Sequence, residues 1–190
     1  MEIIMKKTLK KLLVCTLAAA LTFGSASAAS AAQSPVTSVE PAAENAVKAE
    51  KANGITATVD TKADGTASLG TIAKTSKKSV VVAAKVVVNG VSYKVTVVKA
   101  NAFKNCAKAT AITLPDTIKT ISANAFKGAK ALKTITLKST KAVTVKKGAF
   151  KGVNSKKMTI KVSKKMSKKE LNKFKKALKK AGFKGKVKAA

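Results

Sequence analysis

The 190 residues allow one modest domain with appendages. Hydrophobic residues make up 46% of the chain but Trp is absent, so any core must be built mostly from Val, Ile, Leu and Ala. All 39 basic residues are Lys, against 8 acidic ones. The missing guanidinium counts against sequence-specific reading of nucleic acid, and the absence of His removes the commonest general base and metal ligand.

The N-terminus reads as an export signal. Lys6, Lys7, Lys10 and Lys11 form a charged start, Leu12 to Phe23 an apolar run, and Ala26-Ser27-Ala28 and Ala29-Ser30-Ala31 are small-x-small cleavage sites. The apolar run is shorter than the roughly 20 residues that cross a bilayer, so residues 1–31 are assigned to a signal peptide cleaved after Ala28 or Ala31, the latter favoured. Cys15 lies inside the signal and follows Val14, where lipidation would want a small residue. No transmembrane segment is expected after signal removal. Cys106 remains the single thiol of the exported chain, which excludes an internal disulfide.

Residues 32–53, rich in Ala, Ser, Pro and Glu without an apolar period, are expected to form a disordered linker. The segment 54–98 reads as N-terminal strands and a hairpin. Weak alternation around Asp64-Gly65 suits a solvent-exposed hairpin over 54–78. Val80 to Val88 and Val91 to Val98 flank Asn89-Gly90, the dipeptide that supplies a type I′ turn, with Val91, Tyr93, Val95 and Val97 expected on one face of the second arm.

A repeat fills 99–166 and begins slightly before it. Val95, Val98, Ala102, Phe103, Ile112 and Leu114 align with Ile118, Ile121, Ala125, Phe126, Ile135 and Leu137, then with Val143, Val145, Ala149, Phe150, Ile160 and Val162. The Phe residues recur after 23 and then 24 positions, a period at which each unit adds one rung and buries its apolar side chains against its neighbours. Ile-x-Leu and Ile-x-Val have strand spacing, which sends Thr113, Thr136 and Lys161 to the exposed face. Asn105, Gly128 and Gly152 are residue types that tolerate left-handed backbone and are expected to end a helical turn. Cys106, Ala129 and Val153 beside them suit a buried slot.

Residues 167–190 are read as a helix with a basic tail. Ser167 and Glu170 form a capping box, Leu171, Phe174, Leu178 and Ala181 line one face, and Gly182 ends it.

The stretch NAFKNCAKATAITLPDTIKTISANAFKG, with Ala-Phe followed by Asn or Gly and a small residue, then Ile-x-Leu-Pro, resembles the BspA-like leucine-rich repeat of bacterial secreted and surface proteins. The resemblance covers roughly 54–188. It implies a leucine-rich-repeat solenoid, which with the three units and the two end segments read above gives a β-rich α+β fold, a short leucine-rich-repeat solenoid of about three rungs, capped by the N-terminal β-hairpin and the C-terminal amphipathic helix. It implies a secreted or extracellular protein and a binding or adhesion role, with no catalytic residues, metal or cofactor. The sequence LPDTI at 114–118 lacks the Gly of a sortase signal, so any retention at the cell wall is expected to be non-covalent.

Two surfaces are candidates for binding. The strand face around Thr113, Thr136 and Lys161 would meet an unidentified protein. Lys104, Lys127 and Lys151, at one position in successive units, would meet an anionic envelope polymer such as teichoic acid or acidic glycan, helped by Lys168, Lys169, Lys175, Lys176, Lys179 and Lys180. Beyond residue 66, 32 Lys stand against Asp116 and Glu170 alone, which supports the second surface; a merely solubilising role for Lys competes with it.

Overall fold

The computed structural model describes residues 41–52 and 55–190. The expected signal peptide, its cleavage sites and Cys15 lie outside the described residues. So do residues 32–40 and 53 of the proposed linker, whereas residues between them contribute a strand. Glu44–Ala52 forms β1, paired antiparallel with Ile55–Thr61, β2. Composition is silent about this strand because what holds it is non-local. The Ala46 N–H donates to Asp60 Oδ1 at 2.9 Å, and just upstream the Ala42 N–H donates to the Tyr93 hydroxyl at 2.9 Å.

Β2 continues through the turn at Asp64-Gly65 into β3, Thr66–Ile72. The hairpin expected over 54–78 therefore exists, but it is not solvent-exposed: Val59, Ala67, Leu69 and Ile72 are all buried. Irregular register, with a shift between Ala57 and Val59, blurs the alternation that would have revealed the buried face. The expected long first arm over 80–88 is two strands in different sheets. Ser79–Val81 is β4 and Lys85–Val88 is β5. Only β5 pairs with β6, Val91–Val98, through Asn89 and Gly90, whose φ angles of 51° and 79° are those of the type I′ turn. The alternation expected in β6 holds to Val95 and then breaks, since Thr96 and Val98 are buried and Val97 is half-buried. The cause is a bulge against β3, where Ala67 faces Val95 but Ser68 faces Val97.

The repeat forms two sets of parallel strands. Ala111–Leu114 (β7), Thr134–Leu137 (β9) and Thr159–Val162 (β11) pair in register, Ile112 beside Ile135 beside Ile160. Thr120–Ile121 (β8) and Thr144–Val145 (β10) continue from β6 in the other sheet. The helix α1, Lys168–Lys180, and a last strand β12, Lys186–Ala189, complete the chain. The resulting orders are β1-β2-β3-β6-β8-β10, with β5 off β6, and β12-β11-β9-β7-β4. One hydrophobic core draws on both sheets.

Phe103, Phe126 and Phe150 stack ring on ring, with centroids 5.2 and 5.3 Å apart and planes within 7° and 11°. That pitch is close to the spacing of paired strands, so rings and backbones advance together. Before each Phe stands a residue in left-handed backbone: Asn101, Asn124 and Gly148, with φ of 60°, 57° and 78°. The turn beyond the Phe is left-handed at Gly128 and Gly152 but not at Asn105, contrary to expectation. Asn105 instead donates its side-chain N–H to the Ile72 carbonyl at 3.1 Å, which meets the end of β3. The expected helical turn is a run of i to i+3 hydrogen bonds, such as Lys104 N–H to Asn101 O and Cys106 N–H to Phe103 O.

The helix starts at Ser167, whose hydroxyl accepts the Glu170 N–H at 3.3 Å. The capping box is half formed. The Glu170 carboxylate accepts the Ala142 N–H at 2.6 Å instead of turning back to Ser167. There the third unit slips by one position: Thr144 pairs with Thr120, which sets buried Val143 level with exposed Lys119. The expected basic tail also contains β12, parallel to β11 with Val187 beside Ile160. It was hidden because Val187 is its one large apolar residue.

Removing the central ring should be the most damaging change to the stack. Phe126→Ala is expected to cost about 3–5 kcal/mol, the range for a buried Phe truncated to Ala, because Phe126 alone is sandwiched between two parallel rings. Chemical denaturation compared with Phe183→Ala, at the tilted end of the stack, should show the larger loss for the central residue.

Candidate functional site

The five-stranded sheet presents one regular outer face. Within β7, β9 and β11 the buried residues alternate with exposed or half-buried ones, as period-two side chains must. Thr113, Thr136 and Lys161 are therefore adjacent, in a row that pairing extends to Val81 on β4 and Lys188 on β12. A second row runs Ser79, Ala111, Thr134, Thr159 and Lys186. The face grades from neutral at β4 to basic at β12. Val81 is the exposed large hydrophobic residue among those described. The ends of both rows escape sequence reasoning because β4 and β12 lie outside the repeat pattern.

The second candidate surface follows the Phe stack. Lys104, Lys127 and Lys151 each succeed a stacked Phe and are exposed. Their backbones lie against the next unit: a Cβ on Gly128, where φ is +96°, would fall 2.5 Å from the Lys104 carbonyl oxygen. No side chain fits there, so the Lys104 backbone sits directly beneath the turn that carries Lys127. The helix end adds a further member. Phe183 packs on Phe150 at 4.9 Å, and the Gly148 N–H donates to the Ala181 carbonyl at 3.2 Å, as the Asn124 N–H does to Gly148. Lys184 thus stands to Phe183 as Lys151 does to Phe150, and it is exposed too. The signal was present as a recurring Phe-Lys pair, but the helix lengthens the spacing from Phe150 to 33 residues, against 23 and 24 before, and masks its register. Lys168, Lys169, Lys175, Lys176, Lys179 and Lys180 are all exposed on α1, whose buried side carries Phe174 and Leu178.

Asp60 and Asp64 have local partners. Burial alone would raise the Asp60 carboxyl, but the hydrogen bond from Lys99, the Ala46 N–H and the Lys99 charge together hold it below its usual value. Asp64 is lowered chiefly by hydrogen bonds from the Thr66 hydroxyl and N–H. Among the described residues no cluster of three or more His, Cys, Asp or Glu could hold a metal ion, and no helix is long and apolar enough to cross a membrane. A cavity of about 10 Å³ lined by side chains such as Leu114 and Phe126 is too small for a ligand.

Residues 95–189 match the family model of the BspA type leucine rich repeat region. The chain belongs to this family. No curated protein matches this BspA-type chain. Among solved structures, a leucine rich cell surface protein from Faecalibacterium prausnitzii A2-165 is similar at 20% identity with a TM-score of 0.46. The similarity covers 60% of this chain and 32% of that one, so the BspA-type chain matches about a third of that protein's length.

Cys106 occupies the packing slot expected of it. It is fully buried beside the Phe stack, and burial pushes its thiol up from 9.0 to about 11. The folded thiol should resist alkylation at pH 8 and react only when denatured. Because the folded value is the higher one, this group's contribution to stability is complete below pH 9.0 and is lost as pH rises through about 11. Thiol labelling across a denaturant series, and denaturation midpoints in alkaline buffers for the native chain and Cys106→Ala, check both parts.

Proposed function

We propose that the chain is an exported, non-catalytic binding module of the bacterial cell surface. In this reading it folds as a short solenoid closed by the β5–β6 hairpin and by α1, and its lysine surface holds it to an anionic envelope polymer. The observation that carries the reading is the column Lys104, Lys127, Lys151: exposed side chains repeated at one position of successive units, stacked at the pitch of the Phe rings beside them. With 39 Lys against 8 acids, most of these charges can have no acidic partner within the chain. A polyanion relieves their mutual repulsion and stabilises the fold by binding it. Non-catalytic action is supported by the absence of His from the sequence and by the burial of Cys106. Family membership adds an expectation of binding, as fold-level analogy.

Protein recognition on the strand face is the second reading, favoured by the continuity of the row through Thr113, Thr136 and Lys161. The neutral, short side chains at its centre offer no aromatic anchor.

Export is checked by N-terminal sequencing of protein from medium or cell wall, which should begin after Ala28 or Ala31. An intact Met1 or Met5 on cytosolic protein would refute it. For the column, replacing Lys104, Lys127 and Lys151 together with Gln should leave the fold intact, with no fall in melting temperature, while weakening retention on a model polyanion. Each lost phosphate contact should reduce the log–log salt slope by about 0.7–0.9. Retention absent at low salt, or constant across the salt series, would transfer the function to the strand face.

A further inference from the structure

The regular sides of the molecule end at a feature of different character. Between α1 and β12 runs a groove of about 380 Å³, within the size range of binding sites. Leu178, Phe183 and Val187 give it an apolar lining, and Lys175, Lys179 and Lys184 bring positive charge around it. Beside it lies a strand edge. Β12 ends its sheet, and among the described residues nothing pairs with its outer side. The Lys186 N–H donates to Met158 and the Ala190 N–H to Val162, both toward β11. By strand alternation the N–H and C=O groups of Val187 and Ala189 point the other way.

We propose that this edge and groove together form a docking site for an extended acidic peptide segment of a partner protein, added to the sheet beside β12. A lipid tail could fill the apolar part of the groove but has nothing to offer the outward N–H and C=O groups of Val187 and Ala189, whereas a peptide backbone satisfies them in the manner of strand addition. Charge selects among peptides. Lys186 and Lys188 flank the edge on the outer face, and Lys175, Lys179 and Lys184 lie along the groove. A second copy of this lysine-rich chain would be repelled, as edge lysines repel strand partners elsewhere. A segment alternating acidic and apolar residues meets both requirements, with apolar side chains toward Phe183 and Leu178 and carboxylates toward the lysines.

The probe is a short, terminally blocked peptide alternating Glu and Val, titrated into the full chain at about 0.5 M salt, where diffuse attraction is screened beyond a few ångström. The native chain should bind it, and the amide protons of Val187 and Ala189 should gain protection from exchange. Val187→Pro removes an outward N–H that no internal bond uses while keeping an apolar side chain against the core, so it should lower the melting temperature only slightly and weaken binding by about tenfold or more. The double variant Lys175→Gln, Lys179→Gln should weaken binding as well, whereas changing Lys104, Lys127 and Lys151 should not. Binding undiminished in Val187→Pro, or matched by an all-Glu peptide, would overturn the proposal in favour of charge attraction alone. Displacement of the peptide by phosphatidylglycerol vesicles that also bind Val187→Pro would overturn it in favour of a lipid surface.

Discussion

Each Phe of the repeat must lie on the ring of the preceding unit at 5.2–5.3 Å, and most other features follow from that requirement. Parallel rings at this distance leave no freedom for the backbones that carry them, so every unit has to make the same turn at the same height. The buried Ala102, Ala125 and Ala149 precede the rings because a larger side chain would have no space there. Asn101, Asn124 and Gly148 adopt left-handed backbone because that turn is the one that returns the chain to the stack. Their backbones hydrogen-bond in sequence, Asn101 N–H to Asn124 O, Asn124 N–H to Gly148 O and Gly148 N–H to Ala181 O. The helix end joins the same ladder. Phe183 then meets Phe150 with its ring tilted by 51°, and the parallel stack terminates.

Electrostatics plays a different part in this molecule from packing. Lysines placed at each unit's pitch repel their neighbours, so cohesion comes from apolar burial and backbone pairing. Three carboxylates stand where the regular pattern fails. Asp60 holds β1 through the Ala46 N–H, beside the register shift between Glu44 and Val47. Asp64 shapes the β2–β3 turn through Thr66. Glu170 secures the slipped start of the third unit through the Ala142 N–H. In each case an acid satisfies a backbone or hydroxyl donor that the periodic pairing would otherwise leave open.

The sequence was legible where a side chain's environment repeats. Phe103, Phe126 and Phe150, the Ile-x-Leu strands, the buried slot of Cys106, the Asn89-Gly90 turn and the helix from Ser167 follow from period and local chemistry. Legibility failed where a residue's partner is distant and unrepeated. Β1 depends on Asp60 and Tyr93, β4 depends on β7, and β12 depends on β11, none of which leaves a local trace. Asn105 looks like Gly128 and Gly152 by position but is recruited by Ile72. Of the candidate surfaces, the rows through Thr113, Thr136 and Lys161 and through Lys104, Lys127 and Lys151 came from the period. Lys184, Lys188 and Val81 did not, because the segments carrying them have other spacings.

That division bears on where specificity resides. An array that repeats one side chain at one pitch offers a ligand the same contact at every step, so its sides favour long, repetitive ligands and bind them through many weak contacts. Such a surface adds avidity but discriminates little between polymers of similar charge. Discrimination requires chemistry that occurs once. Among the described residues, two such features lie where β12 leaves an unpaired edge beside Phe183 and Leu178, and where Val81 stands exposed at the far end of the Thr row. In the proposed reading, attachment by the repeated lysines and selection by the irregular ends are separable physical tasks, since one depends on the number of equal charges and the other on a shape and a hydrogen-bonding edge that the repeat itself cannot produce.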